Sequence, residues 1–453
     1  MNLTLRLLVT CVSLLALDPG ASAQVGPRPD FGNAIAKARE TAWKAINSGQ
    51  GSGVTVAIME RGEFVYSEAM GVADRAQNWA VDRNTRFNIG SVSKMFAAAA
   101  ILLLVDDGKV DLDAPVLRYI PEFTMADARY RDITVRMLLN HSSGLPGSTF
   151  FFGFEPDASM HGLLLETMKR SALKHDPGAM SMYTNDGFTL AEIVVERVAG
   201  RKYVDFLAER IFAPLGMTHT GASLGEIVEG NVAEYYEAKS GKKYPREIVP
   251  VYATGGLSST AEDLCRFGDS LMPGGRNLLS PASLREIRRP QPTPFADKLR
   301  ASQQFGQFGW DYAKRIGGPV TGMLVLAKGG NTGFYTANLQ ILPTERLVIA
   351  LIASGRASGD KLTEPILAGL LQDRKQIAAP GGRARPAESQ PIPAALTRYG
   401  GYYAMESGAL KVSIDKSRRK LILTTMAGRS PPLALTLTYS DGYFYGPHAD
   451  TRY

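Results

Sequence analysis

Apolar and polar positions change period along this chain, and the changes mark out its elements. Phe31, Ile35, Ala38 and Trp43 recur as inward candidates and predict a helix from Asp30 to about Ser48. Gly53 to Met59 reads as a strand, Arg61-Gly62 as a turn and Phe64 to Ala69 as the returning strand of an antiparallel hairpin. A short strand-like run, Thr85 to Ile89, precedes Gly90-Ser91-Val92-Ser93-Lys94. Met95 to Val105 is then almost wholly apolar and rich in Ala and Leu, and it stops at Asp106-Asp107-Gly108. That is the pattern of a buried helix with Gly supplying a left-handed cap.

From Ser91 to about Gly275 the periodicity is mainly helical, with segments at Ile133 to Asn140, Leu163 to Ala172, Phe188 to Val198 and Val204 to Phe212. Strand patterns return at Val320 to Ala327, Thr336 to Leu342 and Leu347 to Ile352, and a helix follows from about Leu362 to Leu371. The early hairpin and the late strands suit one antiparallel sheet flanked by helices, with an all-α insert between them. The expected class is α+β. Residues 378–392 have the Pro, Gly and Ala content of a linker. After them Tyr402-Tyr403, Leu410 to Ile414, Leu421 to Thr425, Leu433 to Leu437 and Tyr443 to Tyr445 read as short, evenly spaced strands of a small all-β domain over 393–453.

Composition changes this picture at the N-terminus. Arg6, the apolar run Leu7 to Leu17 and Ala21-Ser22-Ala23 read as a cleavable leader over residues 1–23, so 24–377 is the expected main domain and the expected location is periplasmic or secreted. No run approaches the roughly 20 apolar residues of a membrane span, so no transmembrane anchor is expected. Without the leader only Cys265 remains, at helical spacing in Ala261 to Phe267, where it reads as a buried thiol with no disulfide partner. The formal net charge is +7, but Lys242-Lys243, Arg288-Arg289 and Arg418-Arg419-Lys420 are scattered and form no stripe with interleaved aromatics. A nucleic-acid partner is not expected. Five His with no paired spacing give no metal site, and no cofactor is implied.

The chemistry begins at Ser91. A Ser hydroxyl is a weak nucleophile unless a base stands beside it, and Lys94, three residues on, shares its helix face. Ser-x-x-Lys also occurs at Ser171, Ser240, Ser358, Ser413 and Ser417, but only the Ser91 copy joins a strand to a long apolar helix. Helix-start N–H groups surround its oxygen. Tyr183-Thr184-Asn185, the single Tyr-x-Asn of the chain, follows a turn at His175 to Gly178 and offers a second proton carrier in Tyr183. Asn185 is placed to bond a substrate amide or to steady Lys94. Lys328-Gly329-Gly330-Asn331 lies between two strand runs. Its glycines let a substrate approach the strand edge, the Asn331 N–H is a candidate oxyanion donor with that of Ser91, and Lys328 adds positive charge for a substrate carboxylate.

These three stretches resemble the motifs of class C β-lactamases and related penicillin-binding proteins, a family that includes DD-peptidases, D-aminopeptidases and esterases. Leu138 to Pro146, Pro214 to Met217 and Thr254 to Asp263 are also similar to that family, and the likeness covers roughly residues 30 to 372. It implies an antiparallel sheet with flanking helices, an α-domain and a site in the cleft between them. It also implies acyl transfer through Ser91, Lys94 and Tyr183, with Asn185, Lys328, Gly329, Gly330 and Asn331 binding substrate. The C-terminal strands resemble the lipocalin-like domain that some members carry. The third motif departs from the usual Lys-Thr-Gly or His-x-Gly in having Gly329 at its centre, which weighs against efficient β-lactam hydrolysis. Lys239-Ser240-Gly241 matches the letters but lacks flanking strands and reads as a loop.

The expected function is therefore an exported serine hydrolase that forms a covalent acyl-enzyme on the carbonyl of an amide or ester, whether β-lactam, D-amino-acid peptide or small ester. Two alternatives stand beside it. One is a non-hydrolytic muropeptide- or penicillin-binding protein or scaffold of the same fold. The other is an α/β-hydrolase-type esterase using Ser223, since Gly221-Ala222-Ser223-Leu224-Gly225 matches a nucleophile elbow. The elbow needs a strand before it, a helix after it and a later His, for which only His448 is available. Aromatics in Ser148 to Phe154 suggest an apolar wall for the substrate.

Overall fold

The computed structural model describes residues 31–445 apart from 150–153, 155–158, 238–239, 292, 294–306, 317–322, 356, 375–389, 406–407, 416–418, 427–433 and 441–442. The leader at 1–23, most of the linker at 378–392, Lys239, Phe150 to Phe152 and His448 lie outside the described residues.

The hairpin is β1 (Gly51–Glu60) and β2 (Glu63–Asp74). Arg61 and Gly62 between them have φ of 53° and 84°. Two left-handed residues in succession match the twist of antiparallel strands, which is why a Gly stands at the second. β1 pairs on its other side with β9 (Leu347–Gly355), and β8 (Tyr335–Leu342) and β7 (Met323–Asn331) follow. The short β3 (Trp79–Ala80) and β6 (Tyr312–Ile316) complete an antiparallel sheet of order β3-β2-β1-β9-β8-β7-β6. These edge strands escaped the sequence reading because they are brief and carry little alternation.

The central strands are buried on both faces. Along β9, Leu347, Ile349, Leu351 and Ala353 enter one core, and Val348, Ala350 and Ile352 enter the other. A strand with period-2 side chains between two helical layers has no polar face, so it reads as a continuous apolar run. The first core is closed by α1 (Gly32–Asn47) and α10 (Gly359–Asp373), through Ala34, Ala38, Ala42, Ile366 and Leu370. The inward face of α1 is a row of alanines, while Trp43, expected inside, is 45% exposed. Trp43 stands one position past Ala42, about 100° round the helix from that row. At the start of α1 the helices pack closely: a Cβ added to Gly369 of α10 would lie 2.7 Å from the Asn33 carbonyl oxygen.

The second core holds α2 (Ser93–Asp106) and α8 (Ala261–Ser270). Ser93 to Leu104 are buried all round α2, as a helix at the centre of a large domain must be. Cys265 is buried on α8, with Sγ 3.5 Å from the Ala57 carbonyl oxygen. The helical insert contributes α3 (Val135–Leu139), α4 (Met160–Met168), α5 (Asp186–Ala199), α6 (Tyr203–Leu207) and α7 (Ala213–Leu215), and α9 (Pro281–Arg288) follows α8. Two further two-residue strands, β4 (Phe87–Asn88) and β5 (Ser258–Ser259), pair with each other, so the run Thr85 to Ile89 is strand only at its centre.

At the C-terminal end, β10 (Gly401–Met405), β11 (Gly408–Asp415), β12 (Lys420–Met426), β13 (Ala434–Ser440) and β14 (Tyr443–Tyr445) form an antiparallel meander in that order. The alternation in the sequence marked all five.

Candidate active site

Ser91 sits on a single 3₁₀ turn, Gly90–Val92, between β4 and α2. Gly90 has φ of 51°, and a Cβ there would stand 2.7 Å from the Asn331 amide nitrogen. On the other side, a Cβ at Gly330 would lie 1.9 Å from the Ile89 carbonyl oxygen and 3.0 Å from the Ser91 nitrogen. The Ser91 turn and the end of β7 thus touch backbone to backbone, an approach that two glycines alone permit.

Lys94 is fully buried in the first turn of α2. Its Nζ donates to Ser91 Oγ at 3.1 Å, to Asn185 Oδ1 at 2.7 Å and to the Thr254 carbonyl at 2.7 Å. A buried ammonium is costly unless acceptors replace its water, and these three match its three N–H groups. Thr254 was not foreseen as a site residue. It lies in a wide turn, Tyr252–Gly256, which is held by the Ala253 N–H donating to the buried carboxylate of Glu192 at 2.7 Å.

Tyr183 OH donates to Ser91 Oγ at 2.7 Å. Its ring has Lys94 Nζ 4.9 Å from its centroid and Lys328 Nζ at 5.0 Å, so the phenol lies between two cations. The segment that carries it is laced to the loop after α3. Lys174 N–H donates to the Gly144 carbonyl, Gly178 N–H to Ser142, Met182 N–H to His141 and Asp186 N–H to Gly147. Asn185 Nδ2 donates to Ser148 Oγ at 2.7 Å.

His141 is a second residue the sequence reading left without a role, although its stretch carried the family resemblance. It is fully buried with φ of 60°, its ring lies 4.4 Å from that of Tyr183, and its Nδ1 accepts from the Thr184 N–H at 3.2 Å. Burial, then the charges of Lys328 and Lys94, hold its imidazole well below the ordinary pKa, so it is a neutral support for Tyr183. Its left-handed backbone, uncommon at a bulky residue, its burial and its contact with Tyr183 are all set by the fold, and no sequence pattern shows them.

Lys328 to Asn331 belong to β7 itself and not to a loop between strands. Lys328 is 1% exposed and forms an ion pair with Asp311, at the start of the edge strand β6. The other oxygen of Asp311 accepts the Gly329 N–H at 2.8 Å. The ammonium expected to meet a substrate carboxylate therefore already has one within the protein. Thr332 N–H bonds Tyr335, inside the β7–β8 hairpin. By the alternation of an antiparallel ladder, the Asn331 N–H points to the same edge as that of Gly329, toward the Ser91 turn. Beyond it, Phe334 stacks on Tyr235 at 4.2 Å and on Phe154 at 5.9 Å between centroids; Phe154 is the one aromatic of the Ser148 to Phe154 stretch among the described residues.

Ser223 has none of this. It is fully buried, accepts the Val249 N–H at 3.0 Å and precedes a short 3₁₀ turn, Leu224–Glu226, so the nucleophile-elbow reading is overturned. Ser240 lies in a turn, bonded to Glu237 Oε2 at 2.5 Å, as its loop reading expected. A cavity of about 350 Å³, lined by Gln50, Arg75, Tyr236 and Gly355 among others, shares Tyr235 with the aromatic cluster at Phe334 but is not lined by Ser91, Lys94, Tyr183 or Lys328. Among the described residues no group of His, Cys, Asp and Glu is arranged to hold a metal, and no helix is long and apolar enough to cross a membrane.

Residues 33–374 match the Beta-lactamase family, and the chain belongs to it. It is an enzyme of the serine hydrolase class. Penicillin-binding protein 4 of Amycolatopsis lactamdurans is 28% identical over 373 residues, which is 79% of this chain and 94% of that protein. Among solved structures, the octameric penicillin-binding protein homologue from Pyrococcus abyssi superposes with a TM-score of 0.64 at 19% identity, over 92% of this chain and 94% of that one. A class C β-lactamase from Rhodobacter sphaeroides gives a TM-score of 0.61 at 20% identity, over 75% and 99%. These likenesses are to the α+β architecture described above.

Proposed function

We propose that the protein is an exported hydrolase in which Ser91 attacks an ester or amide carbonyl and forms a covalent acyl-enzyme. The observation that carries this reading is the pair of donors on one oxygen: Lys94 Nζ at 3.1 Å and Tyr183 OH at 2.7 Å from Ser91 Oγ. In the reactive form one member of the pair is deprotonated, Lys94 as its amine or Tyr183 as its phenolate; that group takes the hydroxyl proton as the Ser91 oxygen bonds to carbon, and the pair delivers it to the leaving group as the tetrahedral adduct collapses. The N–H groups of Ser91 and Asn331 hold the oxyanion, an assignment supported by the close approach of Gly90 to Asn331 and of Gly330 to Ser91. Asn185 steadies Lys94. Water then hydrolyses the acyl-enzyme. The leader-like residues 1–23 support export.

The test is the purified enzyme with p-nitrophenyl esters and nitrocefin, beside Ser91→Ala. Hydrolysis should disappear with the hydroxyl, and mass spectrometry should find an acyl adduct on Ser91 in the parent enzyme. Turnover that survives Ser91→Ala, or an adduct on another residue, would sink the assignment.

A further inference from the structure

We infer that Asp311, backed by the charge of Asp360 on the α10 face of β7, makes the far wall of this cleft selective for substrates that carry no carboxylate next to the scissile bond, namely neutral esters and amides. The inference rests on the proposed role of Ser91 and deepens it.

The Lys328 ammonium is the positive charge that β7 brings to the cleft, and the fold spends it internally. The residue is 1% exposed and its Nζ is ion-paired with Asp311 Oδ1. Asp311 Oδ2 meanwhile takes the Gly329 N–H at 2.8 Å. One carboxylate thus fills two places along the strand edge, the cation and the first outward amide, where an anionic substrate group would otherwise dock. A second carboxylate stands close by, behind β7 on the face that α10 covers. A Cβ at Gly329 would lie 3.4 Å from Asp311 Oδ2 and 3.9 Å from Asp360 Oδ2, and Asp360 is itself anchored by the Asn338 Nδ2 donor at 2.7 Å. The surroundings of Gly329 therefore hold two carboxylates and one lysine. An incoming carboxylate meets no uncompensated cation there, and in a partly desolvated cleft it is repelled. The stacked rings of Phe334, Tyr235 and Phe154 further along the hairpin offer contact to an uncharged, apolar group instead.

The experiment compares two aryl esters of one N-acyl amino acid, with 3-hydroxybenzoate or 3-hydroxybenzamide as leaving group. The parent enzyme should favour the carboxamide by about ten-fold or more in kcat/KM. Asp311→Asn keeps an acceptor for the Gly329 N–H but frees the Lys328 charge, so the ratio should fall by about ten-fold, chiefly through a lower KM for the carboxylate ester. Asp360→Asn removes the second negative charge and should move the ratio the same way, which covers the case in which the Asp311 variant does not fold. Equal turnover of the two esters by the parent, or an unchanged ratio in both folded variants, overturns the selectivity while leaving Ser91 chemistry intact. Turnover of both esters that persists in Ser91→Ala overturns the parent reading and this inference with it.

Discussion

Lys94 donates to the Thr254 carbonyl across 2.7 Å, joining residues 160 positions apart at the one point where the buried ammonium needs a backbone acceptor. That carbonyl is aimed by a wide turn whose Ala253 N–H is fixed by Glu192, itself buried and in contact with His161 at 3.1 Å. Thr254 Oγ1 also donates to the Asn185 carbonyl at 3.2 Å. The lysine's backbone acceptor is thus aimed by Glu192 and the turn, one remove from the Lys94–Ser91 contact.

Glu192→Ala leaves the buried Ala253 N–H without an acceptor, which should lower stability by about 1–3 kcal/mol. The displaced Thr254 carbonyl should lower kcat by about ten-fold with little change in KM, as misplacement of a catalytic group does. Glu192→Gln keeps the acceptor oxygen and should restore most of the kcat. Thermal melts and steady-state kinetics on the three proteins check this, and an alanine variant with parental kcat would refute it.

Tyr183→Phe removes the O–H that bonds Ser91 Oγ and leaves the ring against His141 and between the two lysines. Loss of a positioned proton carrier should reduce kcat about 100-fold or more. The melting temperature should stay near that of the parent, because the ring packing is unchanged. A variant with near-parental kcat would remove Tyr183 from the proton path.

Gly330→Ala puts a methyl carbon 1.9 Å from the Ile89 carbonyl oxygen, and backbone must move. Overpacking of this kind should cost about 1–3 kcal/mol. A shift of about 1 Å in the Ser91 turn should lower kcat/KM by about 100-fold. Gly329→Ala, whose Cβ meets nothing nearer than 3.4 Å, should be far milder in both measurements.

Asp186 opens α5, beside Asn185, and accepts the Thr149 N–H at 2.7 Å. Burial pushes its carboxyl up to about 6, against the hydrogen bonds it accepts. The folded protein therefore holds this proton to higher pH than the unfolded chain does. Its favourable contribution is complete below about pH 4 and is lost as pH rises through about 6. Asp186→Asn cannot ionise. The variant should match the parent in melting temperature near pH 4 and gain on it up to about pH 6.5, by roughly 2–3 kcal/mol at most. Melts across that range check the sign, and a gap that shrinks with rising pH would contradict it.

Much of the fold was legible because its signals are local. The alternation of the β1–β2 hairpin, the apolar runs of β8 and β9, the Ala-Leu helix after Ser91 and the five short C-terminal strands each occupy a single window of sequence. Trp43 shows the limit: the helical period is legible, but which stripe is buried depends on what α10 and the sheet bring against α1, and they meet the Ala34, Ala38 and Ala42 row instead. The edge strands β3 and β6 were missed because two to five residues carry too little pattern. The groups gathered at the candidate site follow the same division.

By itself the sequence determined the helix start that presents Ser91 and Lys94, the segment that carries Tyr183 and Asn185, and the glycines of Lys328 to Asn331, since each is a short-range arrangement of residue types. Only the tertiary structure decided what those groups face. It put Thr254 and Asn185 on the Lys94 ammonium, a neutral His141 behind Tyr183, and Asp311 on Lys328. Such pairings join residues from 17 to 160 positions apart. No local periodicity encodes them, because they arise when a sheet brings its strand ends and the helical insert to one cleft.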